Sequence, residues 1–333
     1  MGKYVYLTED YAWLKKRGGR FVVEVDKTVK GELPIEDVDC IVLCGKIEVS
    51  SSVITYCLQR GITLTWLSSE GQFYGRLEST HNVRIVKQAN QFSLSNELNF
   101  VGPLRATVVK TKIANQITLL RRYNRERKNE KVERAIEEIK KLSKKVNATI
   151  PVDTVRGYEG LAARLYFRAL GEIVEPDFYF EKRTKQPPLD AFNSMLSFGY
   201  TLLMYDLYTA ISIHGLHPYI GFMHKIKQGH PALASDLMEE WRAVIVDSMV
   251  MALVQGHEIG LDDFHTEEET GGVYLNTDMR KFFITQYEKR MNRFNQYGKK
   301  RCTFRDLLIS QVESYAQAIQ EGNPEAYTPI MVR

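Results

Sequence analysis

The sequence predicts an α+β protein with an N-terminal β-rich domain followed by a larger all-α domain. Two changes of pattern carry that reading. Through the first ninety residues, apolar positions alternate or cluster in short runs between turn residues. From about Asn99 onward they recur at helical spacing, with few strand signals. The length agrees, since 333 residues at roughly 100–200 per domain gives two. With 44% hydrophobic and 26% charged residues, the composition is ordinary globular. It excludes disordered, collagen-like and disulfide-stapled classes.

In chain order, Tyr4–Leu7, Trp13–Lys16 and Arg20–Val25 read as strands. Gly18-Gly19 forms a two-residue hairpin turn between the last two. Leu33–Val38, Cys40–Cys44, Ile62–Trp66 and Gln72–Leu77 follow as strands. Ser50–Gln59 is a helical insert, opened by serines and closed by Gly61. The predicted helices of the second part are Leu104–Tyr123, Lys131–Lys145, Thr154–Leu170, Leu189–Ile213, Pro231–Gln255, Arg280–Gln296 and Thr303–Ile319. Pro187-Pro188, Gly215, Pro218 and Gly229 punctuate them. The domains are therefore 1–95 and 96–333.

Cys40, Cys44, Cys57 and Cys302 contain no CxxC pair and read as reduced core cysteines of a cytoplasmic protein. The N-terminus MGKYVYLTED lacks the apolar region of a signal peptide. Ser197–Ile213 is interrupted by Asp206, so it reads as a buried helix, not a membrane span.

The net charge of +4 conceals a segregation. Leu104–Lys145 carries fourteen basic against five acidic residues, and Arg280–Arg305 nine against one. The rest of the chain carries 22 basic and 35 acidic residues, including the acidic run Glu258–Glu269. With Tyr287, Phe294 and Tyr297 interleaved in the second stretch, these two segments point to nucleic-acid binding; the alternative is two solvated helix faces.

The stretch GFMHKIKQGHPALASDLMEEWRAVIVDSM, residues 221–249, holds the densest chemistry. On a continuous helix, Leu233, Leu237, Trp241, Val244, Ser248 and Ala252 share one mainly apolar face. Asp236, Glu239, Glu240 and Asp247 then fall on a roughly 100° arc beside it. Such carboxylates repel, so a cation should compensate, either Arg and Lys neighbours or a divalent metal. His224 lies twelve residues before Asp236, and a turn at Gln228-Gly229-His230 would fold it back toward the acids. One imidazole with two or three carboxylates suits Mn2+ or Mg2+. A packed loop histidine with solvated acids is the alternative. Glu159, early in the helix of PVDTVRGYEGLAARLYFRAL, is a third contributor, though a carboxylate there also favours the helix dipole. His214, His217, His230, His257 and His265 are weaker candidates. The chain has no GxSxG elbow, Walker A loop, GxGxxG after a strand or HExxH motif.

Four ordered segments resemble the CRISPR-associated protein one family, the metal-dependent DNA endonuclease and integrase of spacer acquisition. They are LPIEDVDCIVLCGKIEVSSSVITYCLQRGITLTWLSSEGQFYGRL, Arg156-Gly157-Tyr158-Glu159-Gly160, DAFNSMLSFGYTLLMYDL and HPYIGFMHKIKQGHPALASDLMEEWR. The resemblance implies a catalytic set of Glu159, His224, Asp236 and Glu239, with Glu159, His224 and Glu239 holding Mg2+ or Mn2+. Position 239 is Asp in many relatives, so Glu239 brings one extra methylene. Glu240 stands where proline is common. Asn193 and Arg242 also match motif positions, in supporting roles. The resemblance further implies a β domain used in dimerisation and assembly, double-stranded and branched DNA as substrate, a homodimer, and a complex with CRISPR-associated protein two, with no membrane partner. A structure-selective nuclease on branched DNA and a non-catalytic DNA-binding scaffold are the rival readings.

Overall fold

The computed structural model describes residues 3–80, 83–298 and 300–331. It divides into two compact units, Met1–Val83 and Arg84–Arg333.

The first unit contains two four-stranded sheets. One has the order β1 (Lys3–Leu7), β5 (Val38–Cys44), β7 (Thr63–Leu67), β8 (Phe73–Leu77). Its first two pairings are parallel and the last antiparallel. The other has the order β4 (Thr28–Pro34), β3 (Arg20–Val25), β2 (Trp13–Arg17), β6 (Glu48–Val49). The Gly18-Gly19 turn joins β2 to β3 with Arg17 opposite Arg20, and Gly18 has the positive φ such a turn requires. Helix α1 (Ser51–Arg60) contributes the buried Val53 and Cys57 to a core with Leu14, Ile41, Leu43 and Leu64.

One expected strand is displaced. Leu33–Val38 is divided between the end of β4, a 3-10 turn at Ile35–Asp37 and the start of β5. Strand β4 itself escapes sequence patterning because it is an edge strand. Its first five residues are exposed, so no apolar alternation is needed to bury a face.

The second unit consists mainly of α2 (Ile85–Leu94), α3 (Leu98–Arg127), α4 (Glu130–Lys145), α5 (Val152–Gly171), α6 (Ala191–Ile213), α7 (Ala232–Met238), α8 (Ser248–Gln255), α9 (Thr277–Met291) and α10 (Phe304–Glu321). Two short hairpins interrupt them: β9 (Phe264–Thr266) with β10 (Val273–Leu275), and β11 (Phe294–Tyr297) with β12 (Lys300–Thr303). Most of α6 is buried, and no described helix is long and apolar enough to cross a membrane. Cys40, Cys44 and Cys57 are buried and Cys302 partly so, with no disulfide among the described residues.

Three departures from the sequence pattern matter for the site. The boundary falls at Val83, because α2 packs with the helical unit: the Gln91 amide donates to the carbonyls of His217 and Ile220 and accepts from the His217 N–H. Phe294–Gln296 belongs to a hairpin, not to the expected helix Arg280–Gln296. The helix expected over Pro231–Gln255 is also broken. After Met238 the chain turns through residues 239–241, continues as a π-helical segment over Arg242–Asp247, and resumes α-helix at Ser248. The wider π-turn changes the angular spacing, so the four acids do not share one arc.

Candidate active site

Asp236, on α7, is the fixed point of the cluster. Its Oδ2 accepts from the backbone N–H groups of Phe222 and Met223 at 2.6 and 2.9 Å. Its Oδ1 accepts from the His224 N–H at 2.9 Å and from His224 Nδ1 at 2.6 Å. A carboxylate with three backbone donors and an imidazole donor has its lone pairs committed. Asp236 therefore positions the loop and is not free to ligate. Gly221 makes the approach feasible: a Cβ there would lie 2.7 Å from Asp236 Oδ2 and 2.8 Å from the Ala232 carbonyl carbon. The expected turn is present, with Gly229 at positive φ and a bridge between Lys227 and His230.

Because Asp236 accepts from Nδ1, the neutral imidazole of His224 carries its proton there and leaves the Nε2 lone pair available. This carboxylate–imidazole arrangement is the one that orients metal-ligating histidines. Nε2 lies 3.9 Å from Glu239 Oε1. Burial opposes the charged imidazolium, but the Asp236 hydrogen bond and charge, with Glu239, outweigh it, so the His224 pKa is raised.

Glu239 follows α7 at its C-cap and is 5% exposed. Its Oε2 has the Lys112 ammonium at 2.6 Å, and its Oε1 has the Arg242 guanidinium at 3.3 Å. Burial pushes this carboxyl up. Arg242, Lys112 and His224 overcome that, holding it ionised and below the usual carboxylate range. Burial likewise works against the Lys112 ammonium, but Glu239 and then Glu159 outweigh it and raise its pKa. Lys112 also pairs with Glu159 Oε1. One ammonium thus joins the two carboxylates expected to ligate.

The elements carrying these groups are tied together nearby. Gly102 on α3 lies against the Ala148 carbonyl, just before α5, where a side chain would not fit. On α5, Arg156 donates to the Met223 carbonyl at 2.7 Å, next to His224. Two turns after Glu159, Tyr166 donates to Asp247 at 2.6 Å, and Tyr200 of α6 donates to the other Asp247 oxygen at 2.6 Å. Arg242 lies over the Tyr200 ring, 4.7 Å from its centroid. Asn193 accepts from Arg183 and donates to the Lys182 carbonyl, fixing the strand of loop before α6.

The structure therefore brings Glu159, His224 and Glu239 together, sets Asp236 behind His224, and sends Glu240 and Asp247 elsewhere. Buried Glu240 accepts from Tyr327 Oη at 2.6 Å and the Ile330 N–H at 2.9 Å. The expected compensation is local: among the described residues, Lys112 and Arg242 pair with Glu239 and no cation pairs with Glu240. Burial pushes the Glu240 carboxyl up to about 8. In an unfolded chain it titrates near the ordinary value of 4.5. The folded protein thus binds the extra proton between these values and loses stability as pH rises through them. Glu240→Gln, which mimics the neutral acid, is expected to be more stable than the parent above pH 8 by on the order of 3–5 kcal/mol. The two should converge near pH 4.5; denaturant melts that stay parallel across this range would refute it.

Lys112 was not legible as part of this site. The sequence places it in the basic stretch, among residues assigned to phosphate. Its signal is positional: seven residues after Arg105, it shares a helix stripe with Val108, Asn115 and Leu119, all buried. Arg305 of the second stretch is buried too, paired with Glu288 at 2.6 Å.

As the side chains stand, no three His, Cys, Asp or Glu among the described residues are arranged to hold a metal ion. The chemistry of the donor set nonetheless fits one. Two carboxylates already share a cation, the Lys112 ammonium, and an oriented imidazole nitrogen lies 3.9 Å from one of them.

A β-rich unit preceding a helical unit with this acid–imidazole cluster defines a class, and comparison with known proteins identifies it. The family profile described as CRISPR associated protein Cas1 matches residues 5–289. The CRISPR-associated endonuclease Cas1 3 of Thermus thermophilus is 33% identical over 333 residues, covering 99% of this chain and 97% of the relative. The chain belongs to the CRISPR-associated protein Cas1 family. Two solved structures share its fold. A casposase bound to an integration product matches with a TM-score of 0.83 at 17% identity, over 96% of this chain and 91% of that one. A chain of a Cas6-RT-Cas1–Cas2 complex matches with a TM-score of 0.86 at 23% identity; all of this chain aligns, spanning 36% of that longer one.

Proposed function

We propose that the protein is a metal-dependent DNA endonuclease and integrase that inserts short DNA segments into a CRISPR array, a DNA 3′-hydroxyl attacking a phosphodiester. The observation that carries this reading is that Lys112 joins the Glu159 and Glu239 carboxylates, and that Glu239 lies beside an imidazole whose Nε2 is left open by Asp236. Its relatives support it: the Thermus protein is named an endonuclease, and the casposase is bound to an integration product. Glu159, His224 and Glu239 would hold Mg2+ or Mn2+, which polarises a phosphodiester and stabilises its developing charge. The chain itself holds His224 by Nδ1 so that Nε2 points away from Asp236, keeps Glu239 ionised, and sets Arg242 against Glu239. No side-chain nucleophile is required. Double-stranded and branched DNA, a second copy of this chain and CRISPR-associated protein two are the partners of this reading. A Cas1–Cas2 assembly among the structural neighbours supports the last.

The test is a strand-transfer assay with a labelled DNA carrying a free 3′-OH and a repeat-containing target. Joined products that need Mg2+ or Mn2+ are expected. Hydrolytic nicks alone would favour a structure-selective nuclease, and no product with any divalent ion would favour a scaffold.

The exposed cations of the two basic stretches are expected to contact DNA phosphates. Replacing Arg121, Arg125 and Lys289, all exposed, by Gln should weaken duplex binding across sequences. It should also reduce the log–log salt slope by roughly 0.9 per lost contact. An unchanged slope in fluorescence-polarisation titrations would mark these residues as solvated surface.

A further inference from the structure

Where the two basic stretches meet, α3, the π-helical segment and the β11 hairpin enclose a cavity of about 240 Å3. Arg122, Arg290 and Arg293 line it, and none forms an ion pair with a carboxylate among the described residues. Elsewhere in the same stretches Arg127 pairs with Glu175 and Arg305 with Glu288. Arg290 is built into the wall. It donates to the Val244 carbonyl at 2.7 Å and to Ser248 Oγ at 2.6 Å, and stacks over Phe304 at 5.1 Å. Its Nε is buried without a hydrogen-bond partner. Burial, then the charges of Arg122 and Arg293, lower its pKa to about 10. Three like charges around one cavity cost stability unless an anion joins them. Asn295, Gln296 and Tyr297 complete the lining with amides and an aromatic ring, groups that suit a sugar and base.

We infer that this cavity binds a phosphate group carried by a nucleotide, at a site separate from the Glu159–His224–Glu239 cluster. The two sites use different residues of the same elements. Asn115 lines the cavity while Lys112 joins the cluster; Val244 lines it while Arg242 pairs with Glu239. The inference concerns phosphate binding alone and stands whether or not the cluster takes a metal.

The test is calorimetric titration of the full chain in EDTA with deoxyadenosine monophosphate and, separately, a short single-stranded oligodeoxythymidine. Arg122→Gln/Arg293→Gln removes two exposed side chains and leaves Arg290 in the wall, so the fold is kept, which circular dichroism checks. The double variant is expected to weaken binding by about tenfold or more. Arg134→Gln, exposed and outside the cavity, and Glu159→Gln should leave it unchanged. A loss for the mononucleotide supports a site for free nucleotide, and a loss for the oligonucleotide alone supports a strand phosphate. If neither probe is weakened beyond the Arg134→Gln control, the inference is overturned. EDTA keeps divalent ions out of the measurement, so this failure is separable from a failure of strand transfer.

Discussion

His224→Ala and Glu159→Ala should each lower metal-dependent nicking and strand transfer by about two to three orders of magnitude, while duplex affinity in EDTA stays within about twofold. Each removes a donor atom proposed for the ion and no backbone support. With His224 truncated, Asp236 still accepts from the N–H groups of Phe222, Met223 and residue 224, so the loop keeps its path. Glu159 is partly exposed, with 25% of its side chain accessible, and its loss leaves Lys112 paired with Glu239. Asp236→Asn is the instructive contrast. It retains every donor atom assigned to the ion but places an amide against three N–H donors and the imidazole. A loss of roughly 10–100-fold in apparent metal affinity is expected, with maximal rate less affected. Retained metal-dependent strand transfer in both His224→Ala and Glu159→Ala would sink the site assignment.

What the sequence made legible follows from the range of each interaction. The strands were readable because apolar residues cluster in short runs, as in Arg20–Val25, and the long helices because burial repeats at helical spacing, as in Glu130–Lys145. The loop histidine was readable because Gly229-His230-Pro231 marks a turn before α7. The break after Met238 was not. Residues 239–247 have an unbroken helical pattern, and the π-helical segment arises from tertiary ties: Asp247 to Tyr166 and Tyr200, Glu240 to the C-terminal strand of chain at Ile330. Helix α2 was passed over for a related reason. Only Gln91 among its residues is buried, so its anchor is an amide with no apolar period. Charge counting had the same weakness, since Lys112 and Arg305 add to the basic total yet sit inside among carboxylates.

Lys112 supplies the second large effect. Glu239 is almost fully enclosed, and the ammonium neutralises it together with Glu159. Removing one partner of a buried pair costs roughly 3–5 kcal/mol when the remaining charge is left uncompensated; Arg242 still faces Glu239, so the lower end of that range is expected. In EDTA, Lys112→Met should therefore melt well below the parent. At about 2–4 °C per kcal/mol for a unit of this size, the drop is on the order of 10 °C. A divalent ion binding Glu159, His224 and Glu239 competes with the ammonium for the same two carboxylates. Removing the ammonium should then tighten Mn2+ binding by about tenfold or more. Mn2+ should also raise the melting temperature of the variant more than that of the parent. Lys112→Met/Glu159→Gln removes one charge of each sign and should recover part of the lost stability in EDTA without the gain in Mn2+ affinity, since it gives up a ligand. If Lys112→Met melts with the parent in EDTA, the ammonium does not hold the carboxylates together. If the variant is destabilised but Mn2+ acts equally on both proteins, lysine and metal do not share a site, and the ion must be sought away from Glu159 and Glu239.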